Sequence, residues 1–166
     1  MDNGDSQRID ILNGPNLNRL GTREPAIYGT TTLAEIEAQC RDEAGPCRIV
    51  FRQSNHEGEL VEWIHEAIDE ASGIVINPAA YSFTSIAILD ALKMFAGPIV
   101  EVHISNIHRR EEHYRHSYVS KIATGVIAGL GPAGYRYAVR AIRAIIGLST
   151  SKRTRRNEPW RNRATS

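Results

Sequence analysis

"GIVINPAAYSFTSIAILDALKMFAGPIVEVH", residues 73–103, contains two short apolar runs, GIVINP (73–78) and PIVEVH (98–103). Between them lies TSIAILDALKMF (84–95), whose apolar residues recur at spacings of three and four. The short runs read as strands and the middle segment as a helix. Both strands are apolar at successive positions, so both of their faces are expected to be covered.

The same alternation continues outward in both directions. RIDILNG (8–14), CRIVFRQ (47–53) and IATGVIAG (122–129) add three strands. TTLAEIEAQCRDEAG (31–45), HEGELVEWIHEAIDEA (56–71) and GPAGYRYAVRAIRAIIG (131–147) add three helices. Thr32 and Thr84 are the expected caps. Strands alternating with helices and buried on both faces predict an α/β fold, a doubly wound sheet of five parallel strands in flavodoxin-like order. Ligands of such sheets bind beyond the carboxyl ends of the strands, so functional residues are expected after the first, third and fourth.

Length and composition agree with one domain. The chain has 166 residues, with 20 Lys plus Arg against 19 Asp plus Glu, a formal charge of +1. No global field for nucleic acid or membrane follows, and a small-molecule partner is expected. Residues 1–148 read as the domain. Residues 149–166, STSKRTRRNEPWRNRATS, are basic, polar and without period, and read as a mobile extension. Cys40 and Cys47 lack the spacing of a metal or disulfide framework and read as packing thiols of a reducing compartment. No metal site is expected. With no apolar leader and no membrane-length apolar run, the expected location is cytoplasmic.

The chemistry is concentrated at the predicted strand ends. After the first strand comes NGPNLNRLGTREPAIYG (13–29), long and without helical period, the kind of segment that commonly acts as a lid. Its glycines match neither common phosphate-loop pattern. A tyrosine with a reference pKa of about 10 becomes a usable base when a guanidinium favours its phenolate, and Arg23 with Tyr28 could form that pair or simply pack together. Asn77 ends the third strand, as a turn residue or a ligand contact. Ser82 and Thr84 precede a helix whose first amides favour anions. Asp90, mid-helix among apolar residues, suggests a hydrogen bond to another helix or contact with another subunit.

Glu101 and His103 stand two apart on the fourth strand and therefore project to one face. The carboxylate could accept from one imidazole nitrogen and orient the other as a general acid, or the pair could be structural. Beyond them the amides of Ile104 and Ser105 and the Ser105 hydroxyl could hold a carboxylate. Lys93, Lys121 and Lys152 lie on a helix, before a strand and in the tail, so no Schiff-base lysine is evident and an enolate route is implied.

These residues sit in ordered motifs: NGPNLNRLG…REP…YG, RQSN…L…WIH, INP…TS…D, EVHISN followed by REE and RHSY, and ATGVIAGLGPAGY. Over roughly residues 8–147 the chain resembles the type II 3-dehydroquinate dehydratases. The resemblance implies a flavodoxin-like fold, a dodecamer built from trimers and no cofactor. The implied reaction is anti elimination of water from 3-dehydroquinate to give 3-dehydroshikimate, in the shikimate or quinate pathway. It implies Tyr28 as base assisted by Arg23, Asn16 near the enolate, and His103 as acid oriented by Glu101. It also implies Asn77, Ile104, Ser105 and Arg110 as substrate contacts, and Asp90 as a residue reaching a neighbouring subunit's site. Two positions depart from the family pattern: Phe83 stands where the family usually has a substrate-binding histidine, and Tyr114 where it usually has an arginine. Two other expectations remain open: a paralogous dehydratase acting on a cyclic β-hydroxy ketone with fewer ring hydroxyls, and a non-catalytic metabolite-binding protein.

Overall fold

The computed structural model describes residues 7–22 and 25–150, without the side chains of residues 25, 28 and 148–150. Arg23, the Tyr28 side chain and the basic extension beyond residue 150 therefore lie outside the described residues. In chain order the elements are β1 (Arg8–Asn13), α1 (Pro25–Tyr28), α2 (Leu33–Ala44), β2 (Arg48–Gln53), α3 (Glu57–Glu70) and β3 (Gly73–Asn77). They continue with α4 (Ile86–Lys93), β4 (Ile99–His103), β5 (Gly125–Ala128) and α5 (Ala133–Thr150). All strand pairs are parallel, in the order β2-β1-β3-β4-β5, the expected flavodoxin-like topology.

Alternation along the strands divides the core into two layers. Ile9, Ile11, Val75, Val100 and Val102 pack under α2 and α5 against Ile36, Cys40, Tyr135, Val139 and Ile142. Leu12, Ile74, Ile76 and Ile99 pack on the other face against Leu60 and Ile64 of α3 and Ile88 and Leu92 of α4. Both cysteines are free thiols, and burial pushes that of Cys40 up to about 12. On the α3 side the buried Arg8 guanidinium donates to Asp10 at 2.6 and 2.7 Å and to Glu66 at 2.7 Å, and it also pairs with Glu70. Hydrogen bonds from Arg52, then from Arg8, hold the Glu66 carboxyl at about 2.

Local differences from the expected elements have identifiable causes. Thr32 caps α2 in a full capping box with Glu35, as expected. The cap of α4 is Ser85, whose hydroxyl accepts from the Ile88 amide, whereas the Thr84 hydroxyl donates to the Ala80 carbonyl. The fifth strand begins at Gly125, because Val119–Lys121 forms a 3-10 turn and the Thr124 hydroxyl accepts from the Ile99 amide. The segment after β1 is not a plain loop: it holds a 3-10 turn at Leu17–Arg19 and the single helical turn α1, which carries Tyr28. Helix α5 runs through Thr150, two residues into the expected extension.

The end of β1 is pressed against the end of β3. The Gly14 amide donates to the Asn77 carbonyl at 2.8 Å, and a β-carbon on Gly14 would collide with the Pro78 carbonyl. Glycine is therefore required there, and the two strand-end loops are held side by side where the strand order reverses.

Candidate active site

The segments following β1, β3 and β4 enclose a cavity of about 180 Å³. Asn16, Leu17 and Leu20 come from the first, Ala79, Ala80 and Phe83 from the second, and His103, Ile104, Ser105, Arg110 and Tyr114 from the third. The three strand ends expected to carry function are thus the ones that meet. Asn16 has a left-handed backbone, φ 67°, and its amide donates to Asn55 Oδ1 at 2.8 Å. Asn55 also accepts from Gln53 at its side chain and from the Tyr81 hydroxyl at its carbonyl, at 3.1 and 2.7 Å, joining the first wall of the cavity to the second.

Behind Asn77, which lines the cavity, runs a buried polar chain. The Tyr135 hydroxyl donates to Asn13 Oδ1 at 2.7 Å and accepts from Asn77 Nδ2 at 2.8 Å, while Asn13 Nδ2 donates to the Arg52 carbonyl at 2.9 Å. Burial pushes the Tyr135 phenol well above its ordinary range, so it remains a neutral donor. Asn77 Oδ1 accepts from the Ala79 amide at 3.2 Å, and Ala79 is held at φ 49°, a strained conformation for a residue with a side chain. Besides lining the cavity, Asn77 fixes the turn that shapes the cavity wall.

The expected same-face contact on β4 is present. Glu101 is fully buried, and its Oε1 accepts from His103 Nε2 at 2.7 Å. Two hydroxyls that the sequence reading did not single out also donate to this carboxylate: Ser117 to Oε1 at 2.5 Å, and Ser120 to Oε2. Burial pushes the Glu101 carboxyl up, but the hydrogen bond and charge of His103 together with the two hydroxyls outweigh it and hold the group below its ordinary value. With Nε2 engaged, Nδ1 is the His103 nitrogen left to exchange a proton with a ligand.

The outer wall is aromatic. The rings of Phe83 and Tyr114 meet edge to face at 5.3 Å, and the Arg110 guanidinium lies 4.0 Å over the Tyr114 ring. The two positions that depart from the family pattern are therefore in direct contact, with the expected ligand arginine stacked on one of them. Asp90 is placed elsewhere. Its side chain is exposed on α4 and pairs with Lys93 at 2.8 Å, so among the described residues the helix-to-helix hydrogen bond is not formed.

Among the described residues no group of three or more His, Cys, Asp or Glu could hold a metal ion. Nor is any helix among them long and apolar enough to cross a membrane.

A family model described as Dehydroquinase class II matches residues 7–143. A Streptomyces avermitilis protein named 3-dehydroquinate dehydratase is 63% identical over 140 residues, covering 82% of this chain and 88% of that protein. A Streptomyces coelicolor protein of the same name is 59% identical over 147 residues, covering 87% and 94%. The crystal structure of the type II dehydroquinase from Propionibacterium acnes superposes with a TM-score of 0.81 at 48% identity, covering 84% of this chain and 97% of that one. Its doubly wound sheet, its strand-end cavity and a family match running through nearly all of the described residues agree: the chain belongs to the class II dehydroquinase family.

Proposed function

We infer that the chain is a type II 3-dehydroquinate dehydratase, a hydro-lyase of the shikimate pathway acting on a small-molecule substrate. It removes water from 3-dehydroquinate by anti elimination through an enolate, giving 3-dehydroshikimate. The observation that carries this reading is the buried Glu101–His103 pair opening into the cavity at the strand ends, in a chain 63% identical to an enzyme of that name. That identity disfavours both a paralogous dehydratase and a non-catalytic binding protein.

In the proposed mechanism Tyr28, as phenolate beside Arg23, takes the proton from the carbon next to the ketone. The electrons move onto the carbonyl oxygen, near Asn16, as an enolate. Collapse of the enolate expels the hydroxyl from the next carbon, and His103 Nδ1 protonates it so that it leaves as water. Ile104 and Ser105 hold the substrate carboxylate and Asn77 a ring hydroxyl, while Arg110 contributes charge from the wall. The trimer-based dodecamer is proposed for the assembly. Asp90 would reach a neighbouring subunit from its exposed place on α4, beside the exposed Ile86 and Met94. A cytoplasmic location is proposed from the free thiols, and use in quinate breakdown would draw on the same reaction.

Purified protein given 3-dehydroquinate should develop the absorbance of a conjugated enone, and borohydride should not inactivate it. Absence of turnover, or covalent trapping on Lys93 or Lys121, would contradict the proposal.

The Phe83–Tyr114 contact makes a second expectation measurable. If these residues weaken recognition of the ring hydroxyls, Phe83→His with Tyr114→Arg should raise kcat/KM for 3-dehydroquinate about tenfold or more, because one hydrogen bond to a charged group is worth about 1.5 to 3 kcal/mol. Since the rings touch, the two changes should be non-additive. A double variant no better than the parent would make Tyr114 a neutral replacement.

A further inference from the structure

We propose that Ser117 and Ser120 are positioning residues of the acid: their hydroxyls keep Glu101 an anion, so the proton shared by the Glu101–His103 pair stays on the imidazole. The proposal rests on the reading of His103 as the proton donor.

The sheet gives Glu101 no polar support of its own. Its register neighbours are Ile76 of β3 and Val126 of β5, and His103 lies beside Ala128. A carboxylate so placed and left without donors takes up a proton. Here three donors converge on it: His103 Nε2 at 2.7 Å and Ser117 Oγ at 2.5 Å on one oxygen, and Ser120 Oγ on the other. Ser117 has a further contact consistent with donation to the carboxylate. The Ser120 amide donates to Ser117 Oγ at 3.4 Å, using one lone pair of the hydroxyl and leaving its single O–H for the carboxylate, which as an anion can only accept.

Three of the loop's other ionisable groups are turned toward aromatic rings, and Arg115 Nε donates to the Arg110 carbonyl at 2.7 Å. Lys121 Nζ sits 5.0 Å from the Tyr118 ring, Arg110 lies over Tyr114, and His116 meets Tyr118 and Phe83 edge-on.

The pair can hold one proton in two ways, as carboxylate with imidazolium or as carboxylic acid with imidazole. Hydroxyl donors stabilise the first far more than the second, because they bind a charged acceptor. The first form passes a proton from Nδ1 to a departing hydroxyl in a single transfer, leaving neutral imidazole and water; the second must move the carboxyl proton to Nε2 in the same step. The serines act on this partition without touching the substrate.

The test uses the assembled protein, labelled with 15N-histidine and studied by solid-state NMR at the pH where the pair holds one proton. The His103 signals are assigned by difference from His103→Gln. In the parent both ring nitrogens of His103 should carry a proton. In Ser117→Ala/Ser120→Ala one should be unprotonated, and kcat should fall about tenfold or more, the equivalent of one charged hydrogen bond. Ser120→Ala alone should have the smaller effect, because that residue is exposed and water can replace its hydroxyl. Ser120→Thr, which retains the hydroxyl, should recover the parent signature. A double variant whose His103 stays doubly protonated overturns the proposal, whatever its rate. Loss of the imidazolium without loss of rate upholds the hold of the serines on the proton and overturns their part in catalysis, whereas failure of the acid reading itself would show in His103→Ala.

Discussion

His103→Ala should lower kcat for 3-dehydroquinate by about a thousandfold, within the range of about 10² to 10⁴ expected for a positioned general acid. The substitution removes the ring that is held by Glu101 through Nε2 and lines the cavity. It leaves the carboxylate with its two serine donors, so the fold should survive. An acid that protonates a departing hydroxyl matters less when the leaving group is a weaker base. The variant should therefore recover part of its rate with a substrate analogue whose leaving group needs no proton. Comparing kcat for the two substrates in parent and variant measures this. Equal losses on both would assign His103 a scaffolding role.

Tyr28→Phe should abolish nearly all turnover, again by about a thousandfold or more, while leaving ligand affinity within a few fold of the parent. The change deletes one oxygen. A phenol of reference pKa about 10 contributes little to ground-state binding, but as the proton acceptor it is engaged only in the transition state. Turnover measured beside calorimetric binding of a planar enolate mimic separates the two effects. A variant that works within a few fold of the parent would remove Tyr28 from the mechanism.

Much of the fold was legible because the central strands of this sheet are buried on both faces. Runs such as GIVIN and IVEVH have no solvent side to encode, and their uninterrupted apolar character marks them as central parallel strands. Where apolar residues serve another purpose, the reading slipped. Ile122 and Ala123 are apolar because they pack onto the α3–α4 layer from the turn before β5, not because they belong to the strand. The α4 cap slipped by one residue because Thr84 and Ser85 are both competent caps, and the choice is set by where the preceding 3-10 turn, Ala79–Ser82, ends.

The Glu101–His103 contact was readable because it depends only on the two-residue period of a strand. The partners of that pair were not. Ser117 and Ser120 reach Glu101 across 16 and 19 residues of irregular chain, and Tyr135 joins Asn13 and Asn77 from 122 and 58 residues away. No local spacing rule encodes such contacts. Asp90 shows another limit: apolar neighbours along the helix suggested a bond to another helix or contact with another subunit, and within the described residues its side chain faces outward and pairs with Lys93.

The most direct measurement of the central claim is the stereochemical course of the reaction. 3-Dehydroquinate carrying deuterium at one or the other position on the carbon between the ketone and the departing hydroxyl is converted by the purified protein, and the product is analysed by mass spectrometry. Anti elimination through an enolate predicts loss of the label that lies opposite the hydroxyl and retention of the label on the same side. Loss of the same-side label would contradict the account, because a base and an acid acting on opposite faces of the ring cannot produce it.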